Sequence, residues 1–110
     1  MISVTIYKDS FEHYRGFMLE GHAGAGAYGS DIVCAAVSAL VLNAVNSIEA
    51  FTVDDFSVDS ADDGGYIKLM FEQATLSTEA RVLMDSLVLG LEGIRDSGNK
   101  KYIRISFKEV

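Results

Sequence analysis

Twelve of the fifteen residues from Ile32 to Asn46 are hydrophobic, and wound as a helix they leave no polar face. Val33, Val37, Leu40, Ala44 and Ile48 fall on one side, with Val41 and Val45 on another. Ser30 or Asp31 can cap the start of this helix by accepting from a free backbone N–H, and the pattern continues to about Ala50. A helix without a polar face is buried on more than one side. In a chain of 110 residues a sheet covers one side, and a second helix or a second copy of the chain has to cover the other. A membrane span is not expected. Asp31 opens the run and Ser38 and Asn43 interrupt it, whereas a span needs roughly 20 mostly apolar residues.

The flanking sequence supplies that sheet. Ile2, Val4 and Ile6 alternate with Ser3 and Thr5, which predicts a half-buried strand. A second strand follows at Tyr14–Glu20, with Asp9 and Ser10 in the turn between. Two further strands, Thr52–Ser60 and Tyr66–Glu72, flank Asp62-Asp63-Gly64-Gly65, a hairpin pattern. Ala80, Leu83, Met84, Leu87, Leu91 and Ile94 mark the core stripe of a second helix that starts near Ser77 and ends at Gly98. Lys101–Val110, with Ile103, Ile105 and Phe107 on one face, reads as the last strand. The expected fold is α+β: one domain over residues 1–110, in the order ββαββαβ, with a five-stranded, mostly antiparallel sheet packed with two helices.

Charge is unevenly spread. Residues 1–63 hold ten acids and two bases (−8), and residues 64–110 hold six acids and seven bases (+1), for a net −7. An acidic chain repels a phosphate backbone, so direct nucleic-acid binding is not expected. Lys8, Asp9, Glu12 and Arg15 leave no apolar core for a signal peptide, and a cytoplasmic, reducing location is expected. One Cys excludes an internal disulfide or a thiolate cluster, and with two His no metal site is expected.

Cys34 falls at about the third or fourth position of the first helix as read from its cap, where free N–H groups and the macrodipole favour a thiolate. His22 stands at a strand terminus, and the segment between them carries Gly24, Gly26 and Gly29 after Gly21, which reads as a mobile loop able to bring the imidazole over the helix start. A thiolate beside an imidazole is the arrangement of cysteine hydrolases. The same Cys also fits as a small apolar residue in a buried helix. Asp31 and Ser38 share the helix edge of Cys34 and serve either as site residues or as a first-turn acid and a packing residue. Gly24-Ala25-Gly26-Ala27-Tyr28-Gly29 matches a dinucleotide fingerprint, but Asp31 puts negative charge where pyrophosphate would sit. Asp59–Gly64 opens like a calcium loop and fails, with Ala61 and Met70 at ligand positions. His13 reads as a surface residue.

Gly21-His22-Ala23 together with Tyr28-Gly29-Ser30-Asp31-Ile32-Val33-Cys34-Ala35-Ala36-Val37-Ser38-Ala39-Leu40 resembles the ribosomal-processing cysteine protease family, Prp. The twelve-residue step from His22 to Cys34 and the run around the Cys are the specific part; beyond residue 50 the likeness is one of pattern. The resemblance implies a cysteine endopeptidase that acts as a homodimer. Its substrate would be the short N-terminal extension of a large-subunit ribosomal protein of the L-twenty-seven type. It also implies Cys34 as nucleophile, His22 as general base and acid, and Asp31 and Ser38 as supporting positions. Gly21, Gly24, Gly26 and Gly29 would border the substrate, with no cofactor. The reading from another class is a non-enzymatic dimeric binding module of ribosome assembly in which Cys34 only packs.

Overall fold

Alternation in the first strand is what builds the sheet: Ile2, Val4 and Ile6 turn inward and are at most 1% exposed. The computed structural model describes residues 1–21, 28–62 and 65–110, with backbone only for 28–31. Its elements are β1 (Ile2–Lys8), β2 (Tyr14–Glu20), α1 (Tyr28–Phe51), β3 (Phe56–Ser60), β4 (Tyr66–Phe71), α2 (Thr78–Asp96) and β5 (Ile103–Glu109). The order ββαββαβ is the expected one.

The β1–β2 turn is closed by Asp9, whose Oδ1 accepts from the amides of Phe11 (2.8 Å) and His13 (3.0 Å). Tyr7 faces Gly16 and Lys8 faces Tyr14, so Arg15 is an extra residue bulged out of the ladder. That bulge aims the Arg15 guanidinium at the carbonyls of Phe71 (3.0 Å) and Gln73 (2.6 Å), which ties β2 to the end of β4. Gly16 is required beside it, because a Cβ there would lie 2.1 Å from the Leu69 carbonyl oxygen.

The sheet order is β3-β4-β2-β1-β5. All pairs are antiparallel except β1–β5, which runs parallel with Ile2 opposite Ile103. Phe17, Leu69 and Ile103 join the inward face of β1 in one core with Val37, Val41, Ile48, Met84 and Leu91, so both helices pack on the same face. Ile32–Phe51 is long and apolar enough by composition to cross a membrane. Its buried stripe, Val33, Val37, Val41, Ala44 and Ile48, is instead spent on this core.

Four expectations need correction. The sheet-facing stripe of α1 contains Val41 rather than Leu40. Leu40 lies against α2 at Gly90, where a Cβ would come within 2.9 Å of its Cδ1. β3 begins at Phe56 and not at Thr52, because the Thr52 hydroxyl donates to the Ile48 carbonyl (2.7 Å) and closes α1. α1 begins at Tyr28, so Ser30 and Asp31 lie inside its first turn instead of capping it. An acid in that turn still complements the helix dipole, which is why the two readings look alike in sequence. Finally, Cys34 is thereby the seventh helical residue, beyond the free amides of the first turn.

Candidate active site

Gly21 sets the geometry at the end of β2. Its φ is +106°, and a Cβ would meet the Met1 carbonyl oxygen at 2.5 Å, so only glycine fits without strain. Its N–H donates to the Gly65 carbonyl (2.9 Å), which fixes the point where the chain leaves the sheet toward His22. His22, Gly24, Gly26 and the intervening loop lie outside the described residues, as do the side chain of Asp31 and the surroundings of Gly29.

Cys34 is a free, half-buried thiol on α1, packed at the margin of the core. It is neither sealed inside nor fully exposed, a setting that lets a thiol meet a substrate while part of its surroundings stays dry. Ser38 follows one helical turn later on the same edge, about 6 Å along the axis. It is half-buried and faces a cleft of about 320 Å³ between α1 and the β3–β4 hairpin. Leu19, Val41, Leu42, Tyr66 and Ile67 supply the apolar walls, and Ser60 and Ala61 the far rim. Sequence reading passed over this cleft. Its one legible signal was Leu42, an apolar residue off the core stripe that the structure leaves 53% exposed.

His13 is at the other end of β2, eight residues before Gly21, or about 25 Å along the strand. It is exposed and pairs with Asp9, with Nδ1 at 3.5 Å from the carboxylate. The structure therefore keeps it apart from Cys34, in agreement with its reading as a surface residue.

The described residues define a small single-domain α+β fold with a half-buried free thiol on α1, one helical turn before a residue that lines an apolar cleft. The comparisons with known proteins say which family this is. Residues 1–104 match the model of the family described as cysteine protease Prp, and the chain belongs to that family. It is 31% identical over 108 residues to the ribosomal processing cysteine protease Prp of Staphylococcus aureus strain Mu50, covering 98% of this chain and 100% of the relative. The Prp protein of Bacillus subtilis strain 168 is 34% identical over 98 residues, covering 86% and 87% of the two chains. The fold also matches a crystal structure of the S. aureus Prp in complex with a covalently linked product peptide. There the TM-score is 0.88 at 29% identity, with 98% of this chain and 100% of that one covered. The chain is a cysteine peptidase, and the nucleotide and calcium readings fall away.

Proposed function

We propose that the chain is a cytoplasmic endopeptidase that removes the N-terminal extension of a large-subunit ribosomal protein of the L-twenty-seven type, with Cys34 as nucleophile. One observation carries the assignment: the chain belongs to a cysteine protease family and Cys34 is its only cysteine. The relatives are ribosomal processing proteases, which supplies the substrate class. Of the two histidines, His13 is held at the far end of β2, which leaves His22 as general base and acid.

The Cys34 sulfur loses its proton to His22 and attacks the scissile carbonyl carbon. The tetrahedral oxyanion takes hydrogen bonds from backbone amides at the start of α1 or in the glycine segment. His22 returns the proton to the leaving amine, then accepts one from the water that releases the acyl group and regenerates the thiol. Because Cys34 lies past the first turn, the helix terminus acts weakly on its sulfur, and activation rests mainly on His22. Asp31 and Ser38 are the supporting positions, and Gly21 aims the His22 segment.

The homodimer uses the outward side of the helix pair. Ile32 (54%) and Leu89 (73%) are exposed there beside a shallow groove of about 540 Å³ lined by Ala36, Gly90 and Gly93. A second copy would bury this patch by self-complementary contact.

The test is incubation with the full-length ribosomal protein precursor, reading its N-terminus by mass spectrometry. Wild type is expected to yield one shortened product and Cys34→Ala none, at a stability cost of at most about 1–2 kcal/mol. Cleavage by Cys34→Ala near the wild-type rate would refute the nucleophile assignment.

A further inference from the structure

The sheet ends in two edge strands, β3 on one side and β5 on the other, and no strand among the described residues pairs with the outer edge of either. The two edges differ in charge but share a pattern. Asp55 and Asp59 stand four residues apart around Ser57, and Arg104 and Lys108 stand four apart around Ser106. Between them lie Phe56 and Val58 on one edge and Ile105 and Phe107 on the other. Val58 stands opposite the buried Leu69 and Ile105 opposite the buried Val4, so all four apolar residues lean toward the helix layer. The charged residues and both serines point to the bare face of the sheet. Val58 is 42% and Phe107 52% exposed, so the helix layer leaves part of each edge uncovered. Asp55, Asp59, Arg104 and Lys108 are exposed too, and none forms an ion pair among the described residues.

The backbone is in phase with the side chains. The Tyr102 carbonyl accepts from the Ile2 amide and the Val110 amide donates to the Lys8 carbonyl, so even-numbered residues of β5 bond to β1. Ile105 and Phe107 then turn their N–H and C=O outward. The Asp55 carbonyl accepts from the Glu72 amide and the Ala61 amide donates to the Tyr66 carbonyl, so odd-numbered residues of β3 bond to β4. Phe56 and Val58 turn theirs outward. Within one copy β3 runs antiparallel to β5, as the four strand pairings dictate. Moving a second copy sideways in the plane of the sheet therefore brings its β3 antiparallel to β5, with both helix layers on one side. In one register the two patterns coincide. Ile105 meets Val58 and Phe107 meets Phe56 through outward-turned backbone groups, while Ser106 meets Ser57, Arg104 meets Asp59 and Lys108 meets Asp55. The symmetric alternatives fail, because β5 on β5 opposes Arg104 to Lys108 and β3 on β3 opposes Asp55 to Asp59, and like charges directly opposite are destabilising.

We infer that copies of this chain associate edge to edge, β3 of one copy adding as the next strand to β5 of another, with Asp55 and Asp59 set against Lys108 and Arg104. The contact is heterologous, so each copy keeps a free edge for a further copy and the assembly grows as an open chain. It uses neither the thiol nor the outward side of the helix pair, and so adds to the homodimer instead of replacing it. Five residues on each side make a small contact, and association is weak. Charge on both edges discourages pairing with unrelated sheets and makes the contact selective for a second copy. Because the charged groups are exposed, salt screens their attraction over about 8–10 Å.

The test is sedimentation equilibrium of the full chain with the charges reversed on one edge at a time. Wild type is expected to gain at least about twofold in weight-average mass between about 10 µM and about 0.5 mM, the range of weak contacts. About 0.5 M salt should remove most of that gain. The Arg104→Glu/Lys108→Glu variant has two acidic edges and the Asp55→Lys/Asp59→Lys variant two basic ones, so neither alone should grow. An equimolar mixture of the two should grow again, because each edge then meets its complement on the other variant. Circular dichroism against wild type checks that both variants keep the fold. Register is read separately in a Cys34→Ala background by oxidation with diamide. Ser57→Cys/Ser106→Cys, at a non-hydrogen-bonded pair with Cα atoms about 4.5 Å apart, should link chains into a disulfide ladder, and Ser60→Cys/Ser106→Cys should not. Mass that does not rise with concentration, growth that survives in both charge variants, a mixture that stays small, or equal cross-linking by the two Cys pairs would overturn the inference.

Discussion

Asp54 is the one charged residue in the buried core of described residues, 6% exposed, and it holds the corner where α1 gives way to β3. Its carboxylate accepts from the Ser77 amide (2.8 Å), from the Ser77 hydroxyl and from the Gln73 side-chain amide (3.2 Å). Ser77 in turn caps α2 by accepting from the Ala80 amide at 3.1 Å. Hydrogen bonds to a charged group are worth about 1.5–3 kcal/mol each, so three nominally sum to about 4.5–9 kcal/mol. Water can reach the half-buried Ser77 and Gln73 once the carboxylate is gone, which lowers the expected cost of Asp54→Ala to about 3–4 kcal/mol. Asp54→Asn keeps one acceptor oxygen and should cost about 1–2 kcal/mol. Urea unfolding followed by far-UV circular dichroism reads this directly. With m near 1.5 kcal/mol per M, the Ala variant should unfold about 2 M earlier.

The same residue sets an acid limb of stability. Burial pushes the Asp54 carboxyl up, but the hydrogen bonds from the Ser77 hydroxyl and amide outweigh it and hold it below its ordinary value. A carboxyl depressed on folding contributes stability above its unfolded value of about 3.9, and loses it as pH falls through the folded value. Wild type should therefore weaken below about pH 4, while Asp54→Asn stays flatter over that range and the gap between them narrows. An Asp54→Ala protein within about 1 kcal/mol of wild type, or an Asn variant weaker than Ala, would refute the network as drawn.

Further expectations follow from other parts of the molecule. Gly16→Ala forces a Cβ onto the Leu69 carbonyl and should cost about 2–3 kcal/mol in the same unfolding assay; a smaller loss would mean the bulge can relax. His22→Ala should stop precursor cleavage and, because Cys34 lies beyond the free amides of α1, should also slow its alkylation by iodoacetamide at mildly acid pH. An unchanged alkylation rate would assign activation to the helix instead. Light scattering on Cys34→Ala should give twice the 11.9 kDa chain mass at micromolar concentration, and added salt should not dissociate so apolar an interface. A monomer mass would leave Ile32 and Leu89 without a partner.

Local chemistry made much of this protein legible before any coordinates. Period two in β1, the stripe from Ala80 to Leu91 in α2 and the glycine just past its end depend only on neighbours a few residues apart. The element order followed from them, and the Gly21-His22 to Cys34 motif pointed to thiol chemistry. Features set by distant segments were not legible. The parallel seat of β5 beside β1, the Arg15 bulge and the burial of Asp54 each join residues dozens of positions apart. No local pattern encodes such pairings. The start of α1 differs from the sequence expectation because Ser30 and Asp31 suit a cap and a first turn about equally. The cleft beside Ser38 exists only because the helix layer stops short of the edge strand. The charge along the sequence shows where acids gather, but only the tertiary structure brings Leu19, Ser38, Leu42 and Tyr66 to one cleft.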